Sequence, residues 1–170
     1  TDMVCGDFDG DAQLDLAVGS GNADSGGTDS GEIYVMYGPI GADRSILEAD
    51  LVIRGEGTFD YAGRALGSAG DFNRDGIDDL LVGAPGDDFG ANNAGATYLL
   101  LGPLDDYASL STASVKLYGV DNDHLSGSHI GAAGDFDGDG WTDFLVGAPY
   151  VDDTDLNVGA LYAFSAAAGM

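Results

Sequence analysis

Three nine-residue stretches carry the side chains best suited to chemistry in this sequence. Asp7, Asp9, Asp11 and Asp15 stand at positions 1, 3, 5 and 9 of the first. Asp71, Asn73, Asp75 and Asp79 repeat the spacing in the second, and Asp135, Asp137, Asp139 and Asp143 in the third. Short oxygen-bearing side chains at alternate positions of a tight loop converge on one point. The backbone carbonyl of position 7, from Gln13, Ile77 and Trp141, adds a further ligand. Such an all-oxygen set, completed by water, suits a hard cation, Ca²⁺ ahead of Mg²⁺, with one site expected in each loop. Two carboxylates about 4 Å apart repel by roughly 4 kcal/mol at an effective dielectric near 20. Several converging carboxylates therefore require a cation among them or raised pKa values.

An EF-hand loop opens in the same way, but it needs a bidentate Glu at position 12 and a helix on either side. Position 12 here is Val18, Val82 and Val146, each inside an expected strand. The EF-hand reading fails on both counts.

The elements that position these loops come from an internal repeat. A shift of 64 residues aligns the chain with itself twice without a gap: Gly6-Asp7-Phe8 matches Gly70-Asp71-Phe72 and Gly134-Asp135-Phe136. Gly31 and Tyr34 match Gly95 and Tyr98, then Gly159 and Tyr162, and Gly38-Pro39 matches Gly102-Pro103. No window shows apolar spacing near 3.6, while short apolar runs bounded by Gly, Asp and Pro recur throughout. The middle copy reads as four strands, near Arg64–Gly70, Asp78–Ala84, Ala94–Leu101 and Val115–Tyr118. The expected fold class is all-β, with consecutive four-stranded antiparallel sheets of the kind that form propeller blades. The expected blades are residues 1–54, with most of the opening strand missing, 55–118, and 119–170, without a fourth strand. Propeller rings typically close with about four to eight blades, so fewer than three need others, from a longer chain or from identical chains.

Composition narrows the partners. The formal charge is −25, with 27 Asp and three Glu against five Lys and Arg together. That balance disfavours nucleic acid and anionic membrane and favours cations. Asp, a turn-former and short ligand, places the charge in loops rather than on helix faces. Three Ca²⁺ would reduce the charge only to −19, and the remainder suggests a saline setting or a strongly hydrated surface.

The stretch Tyr61-Ala62-Gly63 through Gly70-Asp71-Phe72-Asn73-Arg74-Asp75-Gly76 to Gly83-Ala84-Pro85 resembles an FG-GAP repeat, the blade unit of integrin α-subunits and of many extracellular proteins. Ser126-Gly127 through Gly147-Ala148-Pro149 resembles it equally. The first copy keeps the metal loop but has Gly19-Ser20-Gly21 in place of Gly-Ala-Pro. The usual Phe-Gly is Ala62-Gly63 and Ser126-Gly127, so only the Gly is retained. The resemblance implies a seven-bladed ring, Ca²⁺ in the strand 1–2 loops, and a role in adhesion or surface architecture, outside the cell or at its surface. Protein or glycan surface ligands are the expected partners of the assembled ring, and no stretch approaches about 18 apolar residues, so no membrane insertion is expected. FG-GAP repeats accompany catalytic domains as well, which makes an accessory module of a larger secreted enzyme the alternative. No nucleophile is paired with a base, so the segment itself is expected to be non-catalytic.

The loops are expected to be unequal. Ala12 stands at position 6, where Gly76 and Gly140 enter a left-handed conformation freely, so the first site should be the weakest. Asn73 removes a charge from the second, which leaves the third tightest. Cys5 aligns with Ala69 and Ala133 and reads as a small buried apolar residue. His124 and His129 lack companions for a zinc site. The acidic strand 2–3 connections (Asp24 and Asp29, Asp87-Asp88, and Asp152-Asp153 with Asp155) read as solvated loop charge. The Trp141 ring is expected to shield its loop.

Overall fold

The computed structural model describes residues 2–41, 43–152 and 157–166. These form three antiparallel sheets in chain order. The first contains β1 (Met3–Gly6), β2 (Asp15–Ser20), β3 (Glu32–Met36) and β4 (Leu51–Arg54). The second contains β5 (Ala65–Gly70), β6 (Asp79–Ala84), β7 (Ala96–Leu100) and β8 (Val115–Tyr118). The third contains β9 (His129–Gly134), β10 (Asp143–Ala148) and β11 (Ala160–Ser165). Each four-stranded sheet is a meander whose sequence neighbours pair, and single-turn 3₁₀ segments at Ile46–Glu48, Leu104–Asp106 and Leu110–Thr112 fill the links before β4 and β8. The first of these turns carries a capping box, with Ser45 accepting from Leu47 and Glu48 reaching back to Ser45. Sequence reading expected no helical turn there.

The middle sheet is enclosed on both faces, which explains why its strands read as unbroken apolar runs. Every residue of β6 and β7 is buried. One cluster joins Phe8, Ile33, Val35 and Ile53 of the first sheet to Leu80, Val82, Tyr98 and Leu100 of the second. Another joins Leu81, Leu99 and Phe72 to Phe144 and Val146 of the third. On the third sheet, Leu161 and Tyr162 of β11 remain exposed.

Glycine sets how closely the sheets approach. A Cβ on Gly19 would lie 1.9 Å from the Gly63 carbonyl oxygen, and one on Gly83 would lie 2.1 Å from that of Gly127. The Gly63 and Gly127 N–H groups donate to the carbonyls of Gly83 and Gly147 at 3.0 and 3.1 Å. Both Gly63 and Gly127 are left-handed, with φ near +80° and +81°. The turn therefore needs glycine at both places. The residue before it is held through its backbone, the Ala62 N–H donating to the Ser30 carbonyl and the Ser126 N–H to that of Ala94, which leaves its side chain free to differ. Gly67 of β5 likewise lies against Gly131 of β9, with a Cβ placed 3.6 Å from its backbone.

Two expectations are corrected at the first strand. β1 retains four paired residues, so more of the opening strand is present than the alignment suggested. Cys5 is exposed, not buried. In the second and third sheets the pairing slips at Ser68/Gly70 and at Asp143/Phe144, so that Ala69 and Ala133 bulge. β1 pairs with β2 without a slip, and Cys5 stands directly opposite Leu16. A one-residue change of register turns every side chain to the other face, so Cys5 points outward where Ala69 points in.

Candidate metal centre

Each acidic loop is a hairpin between the first two strands of its sheet, and its backbone conformation repeats. Position 4 is left-handed in all three, at Gly10 (φ +82°), Arg74 (+62°) and Gly138 (+81°). Position 6 is left-handed too, at Ala12 (+66°), Gly76 (+93°) and Gly140 (+86°). Gly10 therefore does not relieve Ala12, because the loop needs both turns. The first loop holds a strained alanine, the second a strained arginine, and the third glycine at both places.

Side chains at positions 1, 3 and 5 hold this turn by accepting backbone N–H groups. Asp7 accepts from Gly10 and Ala12, both at 2.9 Å. Asp71 accepts from Asp75 and Gly76, and Asp135 from Gly138 and Gly140. Asp9, Asn73 and Asp137 accept from position 5. Asp11, Asp75 and Asp139 accept from position 7 at 2.8, 2.9 and 2.8 Å.

Position 9 is the buried anchor. Asp15 and Asp79 are fully buried, and Asp143 is only 2% exposed. One oxygen of each accepts the N–H of Phe8, Phe72 or Phe136, at 2.7, 2.8 and 2.7 Å. The second oxygen of Asp15 accepts from Gly38 and that of Asp79 from Gly102, both at 2.8 Å. Asp143 differs. Its Oδ1 is buried with no hydrogen-bond partner among the described residues. Burial pushes the Asp79 carboxyl up to about 6, with Asp75 adding to the rise and the N–H groups of Gly102 and Phe72 opposing it. Burial raises Asp15 in the same way, with Asp9 and Asp11 contributing.

The structure brings Asp7, Asp9 and Asp15 together with ligand oxygens within 4.8 Å of one another, and likewise Asp135, Asp137 and Asp143. Asp11 and Asp139 fall outside these groups because their carboxylates turn back onto position 7; Asp11 also accepts from the Gln13 side chain. In the second loop Asp71, Asn73, Asp75 and Asp79 follow the same hydrogen-bond pattern, with the Asn73 amide donating to Asp75. The carbonyls of Gln13, Ile77 and Trp141 accept no hydrogen bond among the described residues, which leaves them available to a cation. The orphaned Asp143 oxygen is no sign of an ion, because the repeat counterpart of the Gly38 and Gly102 donors is Ala166; three converging carboxylates with an unbonded position-7 carbonyl beside them are what fits a hard cation. His124 and His129 join neither carboxylate group.

The loops also touch one another, which sequence reading missed. Asp78 accepts the Asp7 N–H and returns its own N–H to the Asp7 carbonyl, both at 2.9 Å. Thr142 donates to the Asp71 carbonyl at 3.3 Å. Both residues stand at position 8, between the position-7 carbonyl and the anchor. Position 8 has no common residue type, so the repeat gave no signal for it.

The strand 2–3 acids have a structural use. Asp24, Asp88 and Asp152 accept the N–H of Asp29, Asn93 and Asn157, five residues on in each case. All three donors are left-handed, a conformation Asp and Asn tolerate. Asp87 is buried and accepts from Tyr98 Oη at 2.7 Å. Asp153 and Asp155 lie outside the described residues.

With these loops and sheets in view, comparison with known proteins is unambiguous about class. The chain belongs to the FG-GAP repeat family, whose model matches residues 3–36, 62–100 and 127–164. It is 34% identical over 169 residues to integrin alpha-PS2 of Drosophila melanogaster, covering 95% of this chain and 11% of that one. It is 35% identical over 156 residues to human integrin alpha-IIb, covering 84% of this chain and 14% of that one. It is also 34% identical over 172 residues to the phosphatidylinositol-glycan-specific phospholipase D of Bos taurus, covering 95% and 20% respectively. The chain thus spans between a tenth and a fifth of the length of these relatives. No helix among the described residues is long and apolar enough to cross a membrane.

Proposed function

We propose that this chain is a run of calcium-binding propeller blades, at residues 1–54, 55–118 and 119–170, serving adhesion or surface architecture outside the cell. Ca²⁺ stabilises the loops at Asp7–Asp15, Asp71–Asp79 and Asp135–Asp143, with the position-7 carbonyls of Gln13, Ile77 and Trp141 as further ligands. The observation that carries this reading is the convergence of three carboxylates in the first and third loops, Asp7 with Asp9 and Asp15 and Asp135 with Asp137 and Asp143, their ligand oxygens within 4.8 Å of one another. Carboxylates about 4 Å apart repel by roughly 4 kcal/mol at an effective dielectric near 20, and a divalent cation among them removes that cost. Asp11, Asp75 and Asp139 act as ligands once an ion competes with their bonds to position 7. The blades associate with others of their kind, from the same longer chain or from identical chains, and the assembled face takes protein or glycan ligands.

Ions that bind only the folded state raise its stability by mass action. Thermal unfolding in chelator and then in rising Ca²⁺ should show a progressive increase in Tm, with calorimetry giving three ions per chain. An unchanged Tm across millimolar Ca²⁺ refutes the reading.

Matches to integrin subunits and to a phospholipase cover nearly the same stretch of this chain. What proteins of such different names share here is a scaffold, which supports a non-catalytic role for the segment itself. The phospholipase match favours the second reading, an accessory module of a larger secreted enzyme. Deleting the segment from such an enzyme would then lower its stability or localisation while leaving its turnover on a soluble substrate.

A further inference from the structure

We infer that Arg74 is a positioning residue for the third cation loop, acting from the loop before it. The inference rests on the calcium reading above and deepens it. The Arg74 guanidinium lies over the Trp141 ring, 3.7 Å from its centroid. Its Nη2 donates to the Gly140 carbonyl. These two contacts fix positions 6 and 7 of the third loop, the residues that lead into Thr142 and the buried Asp143 anchor. Thr142 in turn donates to the carbonyl of Asp71, the first residue of the second loop. The two loops are thereby stitched in both directions.

Three features set Arg74 apart from an incidental surface charge. It occupies position 4 of its loop, where the first and third loops have Gly10 and Gly138. It holds the left-handed conformation that glycine adopts there without strain, so the loop keeps a side chain at a conformational cost. It is also one of only five Lys and Arg residues in the chain. Its charge alone would oppose a cation in the adjoining loop, because like charges repel. A guanidinium placed there helps cation binding only through geometry: the planar stack on Trp141 and the bond to Gly140 hold the position-7 carbonyl in place. Residues that orient metal ligands from outside the coordination sphere commonly change affinity by about 10–100-fold.

Charge and geometry predict opposite signs, and the molecule carries its own reporter. Trp141 is the only tryptophan, so its emission, and Tb³⁺ luminescence sensitised by it, report the third loop. The test compares Ca²⁺ titrations of the unmodified chain, Arg74→Gly and Arg74→Lys under a calcium buffer. Arg74→Gly gives the second loop the residue its two counterparts carry, which keeps folding secure. Arg74→Lys keeps the charge but loses the planar fork. Positioning predicts that both variants weaken the third site about 10-fold or more. Equal or tighter binding in Arg74→Gly, or unchanged binding in Arg74→Lys, overturns the proposal. If the unmodified chain binds no Ca²⁺ by calorimetry, the calcium reading itself fails; if it binds and the variants match it, only the role of Arg74 fails.

Discussion

Replacing Gly83 with Ala tests whether glycine sets the spacing of the sheets. The new methyl carbon would lie 2.1 Å from the Gly127 carbonyl oxygen, well inside the roughly 3.0 Å at which real Cβ contacts stop. That oxygen belongs to a backbone held left-handed and bonded to Gly147, so it has no rotamer by which to escape. The second and third sheets must separate by about 1 Å, enough to loosen a close-packed interface. Overpacking of this kind costs about 1–3 kcal/mol, offset by the roughly 0.5–1 kcal/mol that Ala gains over Gly in a strand interior. The net loss of about 1–2 kcal/mol corresponds to a Tm lower by roughly 2–8 °C in a domain of this size. Gly147 occupies the same repeat position in the third sheet, yet its nearest atoms are its own sheet's His129 Cβ and carbonyl oxygen at 3.4 Å. Gly147→Ala should leave Tm unchanged or raise it slightly. Calorimetric unfolding of both variants in saturating Ca²⁺ decides the matter. Equal penalties at the two positions, or none at Gly83, would refute the argument.

Ala12→Gly should relieve a left-handed alanine and stabilise the chain by about 1 kcal/mol, seen as a Tm rise of roughly 2–4 °C; no rise would mean that the loop relaxes around Ala12. Asp143→Ala should remove one ion from the calorimetric stoichiometry and abolish the Ca²⁺ response of Trp141 while two sites remain. Asp60 is 6% exposed and faces Asp87, Asp88 and Glu56, the last already engaged by Lys116; burial first and Asp87 second push its carboxyl up to about 6. Its folded pKa exceeds the unfolded 3.8, so its contribution to stability is lost as pH rises from about 4 to 6. Asp60→Asn, which keeps an acceptor for the Gly57 N–H, should flatten that slope and add up to about 3 kcal/mol at pH 7. Urea unfolding across this range in saturating Ca²⁺ is the check, and parallel slopes in parent and variant would sink it.

Much of this architecture was legible because it recurs. The Asp spacing, Gly63 and Gly127, and the apolar runs of β6 and β7 announce loops, tight turns and an enclosed sheet by residue type alone. Contacts between non-equivalent partners were not legible. Asp78 meeting Asp7 and Arg74 meeting Trp141 join residues 71 and 67 positions apart through whatever side chain each copy happens to carry. Cys5 misled for a related reason: alignment puts it beside Ala69, but a missing bulge reverses the face it occupies. Position 5 shows a further limit, since spacing says that Asp11 can reach a shared point while hydrogen bonding shows that its carboxylate first serves Gln13.

The contact between Gly19 and Gly63, repeated by Gly83 and Gly127, has a bearing on how such chains diversify. A junction keyed to a missing Cβ against a peptide carbonyl imposes no matched shapes across it at that point. Mutation can then alter the surrounding side chains on one sheet without demanding a simultaneous change on its neighbour at this contact. Units of this kind are interchangeable parts: one can be duplicated, swapped or recruited into a new protein, and the mating geometry travels with a pair of glycines.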